Sequence, residues 1–473
     1  MTVSSFHSFW HGSLTNRAQA AVAAAIAIAL AGCSVGPAYK RPATTIPPAW
    51  RTATGMPVWP STDWWRGFNS PVLDSDLIRA EANNNDLAAA IARVDEADAQ
   101  VRIAGAALLP SVDMDASVTH ERAAAAGLGL RTGTVYNPAL NASYEIDFWG
   151  KNRAAKAAAQ ATALASRYDR DTVELTIVAS VATTYFQALE VRERLDIAEH
   201  NLASAETTLS GLRLQETAGI ATALDVAQQD TVVATLNAAI PPLQEQLSQT
   251  IDALAILLGQ PPESVHIDGG ALAELSLPRV APGLPSTLLA RRPDVAEAEA
   301  QLIAANADIT VARAAFFPSI QLTAAGGFES KALSTLLNPE NAVFSLAAGL
   351  TQPIFEGGAL QGQYAYSQAR YAELVADYRK AVLTAFGNVE DALAAVQQTD
   401  DQLSRQETAT AAARRAYEIS QAQLRAGTIS ILTVLNTETA LFTAEDSLVQ
   451  VRFSRLQALI NLFSALGGGW RQT

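Results

Sequence analysis

The chain has 473 residues, 49% hydrophobic and 17% charged, with 33 Lys and Arg against 47 Asp and Glu for a net charge of −14. So acidic a chain lacks the basic footprint that nucleic-acid phosphates require. Its single cysteine excludes an internal disulfide, a CxxC pair and a multi-cysteine zinc site, and its length admits two or three domains.

That cysteine, Cys33, sits in IALAGCSVGP (28–37), directly after an apolar run from Ala18 to Ala31 preceded by Arg17. The run has the length of a signal-peptide core and is too short to span a bilayer as a helix. Residues 1–32 are therefore expected to be a signal peptide. Leu30-Ala31-Gly32-Cys33 resembles the bacterial lipobox, in which the cysteine becomes the lipidated first residue. A free cysteine is otherwise most often a buried hydrophobe; here the context points to a lipid anchor, whose acyl chains contribute about 0.8 kcal/mol per buried CH2. Ser34, in place of an inner-membrane retention Asp, favours the outer membrane. Without residues 1–32 the chain carries 32 Lys and Arg against 47 Asp and Glu, net −15.

Residues 33–72 form an amino-terminal segment, after which the chain is written twice. AGAALLPSV (104–112) matches ARAAFFPSI (312–320), and QETAGIATALDV (215–226) matches QLRAGTISILTV (423–434). The pairs Pro110 and Pro318, Gly219 and Gly427, and Gly259 and Gly467 all share one offset of 208. Common spacing at separated anchors marks an internal duplication. The first repeat is placed at 73–262, a Pro- and Gly-rich connector at 263–283 and the second repeat at 284–470.

Each repeat opens with a helix ended by a proline (Pro110 or Pro318), because proline disfavours helix in the residue before it. Two alternating strands follow, expected near 111–119 and 139–148 in the first repeat and 319–328 and 343–355 in the second. Val112, Met114, Leu140, Tyr144, Ile146 and Phe148 fall on one face of the first pair. Asp113, Asp115, Asn141, Ser143, Glu145 and Asp147 fall on the other. A soluble sheet with one wet face has this pattern; so does a transmembrane barrel with lipid outside and water within. Four strands leave two open edges, which lipid does not tolerate, so a membrane barrel requires several copies to pool their strands.

A very long helix comes next. Arg153–Glu216 and Leu360–Ala426 contain no proline, and either would extend about 100 Å at 1.5 Å per residue. Each stops at a glycine, Gly219 or Gly427, where a left-handed turn reverses the chain into a returning helix. Pro241-Pro242 is expected to kink the first returning helix. Asp225 is placed to cap that helix.

No nucleotide-binding loop, GxSxG elbow or HExxH motif occurs, and His120, His200 and His266 are scattered. The carboxylate pairs Asp74/Asp76 and Asp400/Asp401 read as charged helix faces. Neither a catalytic site nor a metal or other cofactor is expected.

The motifs CSVGPAYKRP (33–42), DWWRGFNSPVLDSDLI (63–78), LLARRPDVAEAEAQLIAANADITVARAAFFPSI (288–320) and LTQPIFEGG (350–358) resemble the TolC-like outer-membrane efflux factors. They are most similar to the lipoprotein branch serving resistance-nodulation-division (RND) pumps. The resemblance covers the whole chain after Cys33. It implies a mostly α fold in which long helical hairpins build an α-barrel. It also implies a homotrimer with a shared 12-stranded β-barrel in the outer membrane, a periplasmic membrane-fusion adaptor and an inner-membrane pump. The function implied is a passive duct carrying small molecules from that pump to the exterior. In the family the aperture lies just after the two turn glycines and is ringed by acidic residues. Asp225 matches an acidic family position, whereas Thr433 and Asn436 stand where Asp is frequent. Ile429 and Leu424 replace the Arg and Tyr that latch some members, so this aperture is expected to close by apolar and hydrogen-bond packing. A lipid-anchored periplasmic scaffold or adaptor without a barrel is the alternative, and the two-faced strands speak against it.

Overall fold

The structure, a computed structural model, describes residues 35–51, 58–125, 129–267 and 270–471. Cys33 and the signal segment lie outside these residues. The first repeat carries α1 (Pro71–Asn83), α2 (Asn85–Ala106), β1 (Ser111–Ala125), β2 (Gly129–Ile146), α3 (Lys151–Thr217) and α4 (Ala223–Leu257). The second carries α5 (Pro293–Ala314), β3 (Ser319–Phe328), β4 (Ala342–Thr351), α6 (Ala359–Arg425) and α7 (Ile431–Ala465). The bounds of α2 and α5, α3 and α6, and α4 and α7 are each related by the same 208-residue offset.

The chain divides into two compact units. One holds the described part of residues 1–42 with Val94–Ser166 and Ala298–Tyr378; the other holds Ala43–Arg93, Arg167–Glu297 and Arg379–Thr473. The first contains the sheet, in the order β1-β2-β3-β4 and antiparallel throughout.

The second unit contains the apolar core, built from Trp64, Phe68, Leu73, Leu77, Phe186, Leu254, Ile460 and Phe463 among others. Trp64 stacks on Phe463 with centroids 4.7 Å apart. The duplication is visible in its polar ties. Asn84 Nδ2 donates to the Leu257 carbonyl at 2.8 Å, and Arg292, 208 residues on, donates through Nη1 to the Ala465 carbonyl at 3.1 Å. Gly259 and Gly467 lie against the Asn83 and Arg291 carbonyls, so close that an added Cβ would fall 2.2 and 1.8 Å from the oxygens.

Pro241 and Pro242 do not end α4, which runs through both. No helix among the described residues is long and apolar enough to cross a membrane.

Candidate functional site: a two-faced sheet and a pair of capped turns

The register carries two faces across all four strands. Leu140 pairs with Met114 and Gly326, and Gly326 with Phe344; Ala142 pairs with Val112 and Ala324, and Ala324 with Leu346. Tyr144 meets Leu322 and Ile146 meets Ile320, which in turn meets Leu350. Direct cross-strand partners share a face, so these residues make one apolar surface. Of its large side chains, Val112, Met114, Leu140, Phe344, Leu346 and Leu350 are exposed. The opposite face pairs Asp113 with Asn141, Ser111 with Ser143 and Glu145 with Gln321. There Asn141 donates to Asp115 at 2.7 Å and Lys151 pairs with Glu145 at 3.2 Å.

Two expected members leave the sheet. β2 ends at Ile146, and the chain then turns through Gly150, whose φ is 78°. Asp147, expected on the polar strand face, instead accepts the backbone N–H groups of Asn152 and Arg153, each at 2.9 Å, and caps α3. Phe148, expected on the apolar face, packs edge-on against Trp149 in the turn. The alternation continues in sequence past the end of the ladder, so periodicity overran the strand. At its other end β2 begins at Gly129, ten residues before the expected start, and β1 runs on to Ala125. Pro138 lies in this extension of β2. It is tolerated because the β2–β3 ladder stops at Ala139, and its missing N–H falls where no third strand is hydrogen-bonded. In the second repeat β3 matches its expected bounds, while β4 ends at Thr351 and leaves 352–355 outside.

At the helix-side edge of the sheet Trp149 stacks on Phe317 at 4.6 Å and donates through Nε1 to the Pro318 carbonyl at 2.8 Å. Beside β4, Ile354 and Phe355 are 89% and 88% exposed. Aromatic and apolar side chains bordering an apolar band mark a membrane–water interface. The helix-ending Leu-Leu-Pro and Phe-Phe-Pro motifs contained this border, but sequence alone read them only as punctuation.

In the other unit the two turns are alike in their first half. Gly219 (φ 72°) and Gly427 (φ 70°) each follow a long helix. Ile220 N–H reaches the Gln215 carbonyl at 2.8 Å, and Thr428 N–H reaches Gln423 at 3.0 Å. This six-to-one bond with a left-handed glycine is the Schellman motif. The second halves differ. Thr222 caps α4 and Asp225 reaches back to it, accepting the Thr222 backbone N–H at 2.8 Å and its hydroxyl at 2.7 Å. These hydrogen bonds hold the Asp225 carboxyl below the usual carboxylate range. Ser430, just before α7, and Thr433, in its first turn, stand at the matching positions, and Ser430 makes no side-chain cap bond. Thr433 and Asn436 are exposed on α7. Ile429 and Leu424 pack against a cluster of Leu209, Leu212, Val226, Ile431, Val434 and Leu435.

A duplicated chain that carries two long helical hairpins and a four-stranded, two-faced sheet defines the class of TolC-like channels. The family model described as "Outer membrane efflux protein" matches residues 77–260 and 284–468. The chain belongs to the outer membrane efflux protein family. It is 41% identical over 453 residues to the pyoverdine export outer membrane protein OpmQ of Pseudomonas aeruginosa, covering 93% of this chain and 95% of that one. The crystal structure of a membrane protein from Pseudomonas aeruginosa superposes with a TM-score of 0.87 at 31% identity, over 92% of this chain and 100% of the other. The open state of the Neisseria gonorrhoeae MtrE outer membrane channel gives 0.85 at 28%, over 93% and 100%. The protein is an outer-membrane efflux channel of the kind that tripartite pumps use.

Proposed function

We propose that three copies of the chain close one barrel of twelve strands, and that the assembly is a passive, lipid-anchored duct. The observation that carries this is the pair of open edges. β1 and β4 are each paired on one side only, at the borders of a sheet whose apolar face is uncovered. Unpaired strand edges do not persist in hydrocarbon, so neighbouring copies supply the missing partners. The long hairpins then enclose the periplasmic continuation, and a membrane-fusion adaptor and an inner-membrane pump of the RND type complete the path. Transport energy comes from the pump; the duct itself is read as having no catalytic step and no cofactor other than lipid. Similarity to a pyoverdine export protein supports pyoverdine-like small molecules as cargo.

The anchor reading is supported by the path of the amino-terminal segment. Gly36 lies against Thr310, Asn306 donates to the Pro37 carbonyl at 3.0 Å, and Arg41 forms a two-pronged pair with Glu299. The strap thus runs antiparallel to α5 and delivers its upstream end toward β3. Its described end points toward the helix-side edge of the sheet, which is where an acyl anchor upstream of it would meet the inner leaflet of the outer membrane. In this reading Asp113, Asp115, Asn141, Ser143 and Glu145 face the lumen, and Val112, Met114, Leu140, Tyr144 and Ile146 face lipid.

The test is native mass spectrometry of the detergent-extracted protein combined with planar-bilayer recording. A trimer that conducts, carries acyl mass on Cys33, and loses that mass but not its assembly in Cys33→Ala is the expected result. A monodisperse folded monomer would sink the proposal.

A further inference from the structure

Between the four hairpin helices, on the turn side of the second unit, lies a buried polar cluster that the transport path does not use. Glu438 on α7 and Gln229 on α4 are both 0% exposed. Glu438 Oε1 accepts the Tyr417 hydroxyl of α6 at 3.1 Å, and Gln229 Nε2 donates to the Ala205 carbonyl of α3 at 2.9 Å. Ser420 and Thr437 share a hydrogen bond of 2.7 Å, and Ser204 of α3 bonds the Tyr417 hydroxyl. Every helix of both hairpins contributes. Two oxygens are left over: Glu438 Oε2 and Gln229 Oε1 are buried with no donor.

The first repeat shows that the fold does not need this arrangement. The positions 208 residues before Tyr417 and Ser420 are Leu209 and Leu212, which belong to a plain apolar cluster. The position before Glu438 is Asp230, which is exposed and paired with Arg213 at 2.9 Å. Replacing an apolar seam by a half-satisfied polar one costs stability, so the second repeat keeps it for another reason.

No lysine, arginine or histidine bonds to Glu438 among the described residues. From α6 it faces Tyr417, the one titratable group bonded to it, and from α4 Gln229. Flanking charges are engaged elsewhere: Arg414 of α6 pairs with Glu445 of α7 at 2.7 Å, and Asp230 of α4 with Arg213 of α3. His200 of α3 lines a neighbouring cavity with Tyr417 and Arg414.

We propose that Glu438 is a proton-operated clasp: protonated, it holds the α6–α7 hairpin against α3–α4, and ionised, it releases that hairpin. The inference rests on the channel reading for its consequence, a duct that opens more readily at neutral pH than in acid. The step is a simple protonation. The carboxylate takes one proton from water, and the resulting O–H is the donor that the leftover oxygens lack.

Burial pushes the Glu438 carboxyl above the usual carboxylate range, against the downward pull of Tyr417 and Gln229. A carboxyl with a higher pKa packed than free binds its proton more tightly when packed, so acid favours the clasped form. Between the free and the packed value each rise in pH weakens it, about tenfold per unit.

The experiment is hydrogen exchange on the full-length assembly in detergent between about pH 5 and about pH 8, read as protection factors for residues 417–438, with bilayer conductance in parallel. The expected result is protection that falls as pH rises in the wild type and stays high in Glu438→Gln, which is neutral at every pH. His200→Gln should keep the wild-type response. Should Glu438→Gln fail to assemble, Tyr417→Phe is the second variant. It removes a bond to the carboxylate and should move the midpoint to higher pH. A Glu438→Gln profile that follows the wild type, a response lost in His200→Gln, or an unmoved midpoint in Tyr417→Phe would each overturn the clasp. Altered protection without conductance in any variant would count against the channel reading and leave the clasp supported.

Discussion

Thr222 and Asp225 bond to each other in both directions, the Asp225 N–H to the Thr222 hydroxyl at 3.3 Å and the Thr222 N–H to the Asp225 carboxylate at 2.8 Å. Such a reciprocal pair satisfies two helix-end donors at once. Its counterpart, Ser430 with Thr433, makes no such bond.

Asp225→Ala should therefore loosen the start of α4 by about 1 kcal/mol, and Thr433→Asp should stabilise α7 by a comparable amount. Local hydrogen exchange at each turn reads both. Because the Asp225 carboxyl is held low, its contribution is present above the usual carboxylate pKa and is lost as pH falls through the lowered value. Acid should thus fray the α4 turn in the wild type and change nothing in Asp225→Ala.

The same residues bear on permeation. If the turns form the aperture that the family resemblance implies, Asp225 would be its acidic position, Thr433 and Asn436 being uncharged, and trivalent cations should block single-channel current only weakly. Asp225→Asn should abolish what block there is. Strong block surviving that change would show that the carboxylates ringing the pore lie elsewhere.

Opposite faces of one strand pair should respond oppositely to one substitution. Met114→Arg puts a charge on the apolar face and should cost about 2–4 kcal/mol of insertion free energy, read as lost assembly in folding titrations. Asn141→Arg lies on the polar face and should assemble normally, shifting reversal potentials toward anions. Equal damage from both would mean that the sheet is not two-faced in the membrane.

Two glycines with similar φ should differ in tolerance. Gly427 has open space where a Cβ would stand, whereas at Gly467 the Arg291 carbonyl is in the way. Gly427→Ala should cost about 1 kcal/mol for the left-handed backbone alone. Gly467→Ala should cost about 1–3 kcal/mol more for the displaced neighbour. Thermal unfolding of the two variants separates the terms.

Much of this architecture was legible in the sequence because it is written in spacing. The 208-residue offset located all the paired helices, and the turn glycines announced themselves by position. Proline and alternation were weaker guides. The part of β2 from Gly129 to Pro138 lay outside the expected strand. Asp147 and Phe148 continued the alternation after the strand had ended, although an Asp ahead of a long helix is also a capping signal. The Glu438 cluster left no trace at all, because its members lie on four helices and meet only when these pack.

The outer ends of β1 and β2 have a consequence of their own. Beyond the Ala139–Gly327 pair they continue as a ribbon of two strands, bridged to the second repeat, among the described residues, at Tyr136 and Ser330. In the proposed trimer this ribbon would extend beyond the four-stranded band, where a full third strand no longer constrains its residues. Substitutions there would leave the four-stranded band beneath unchanged, so the ribbon would be the part of the sheet that accepts change at least cost.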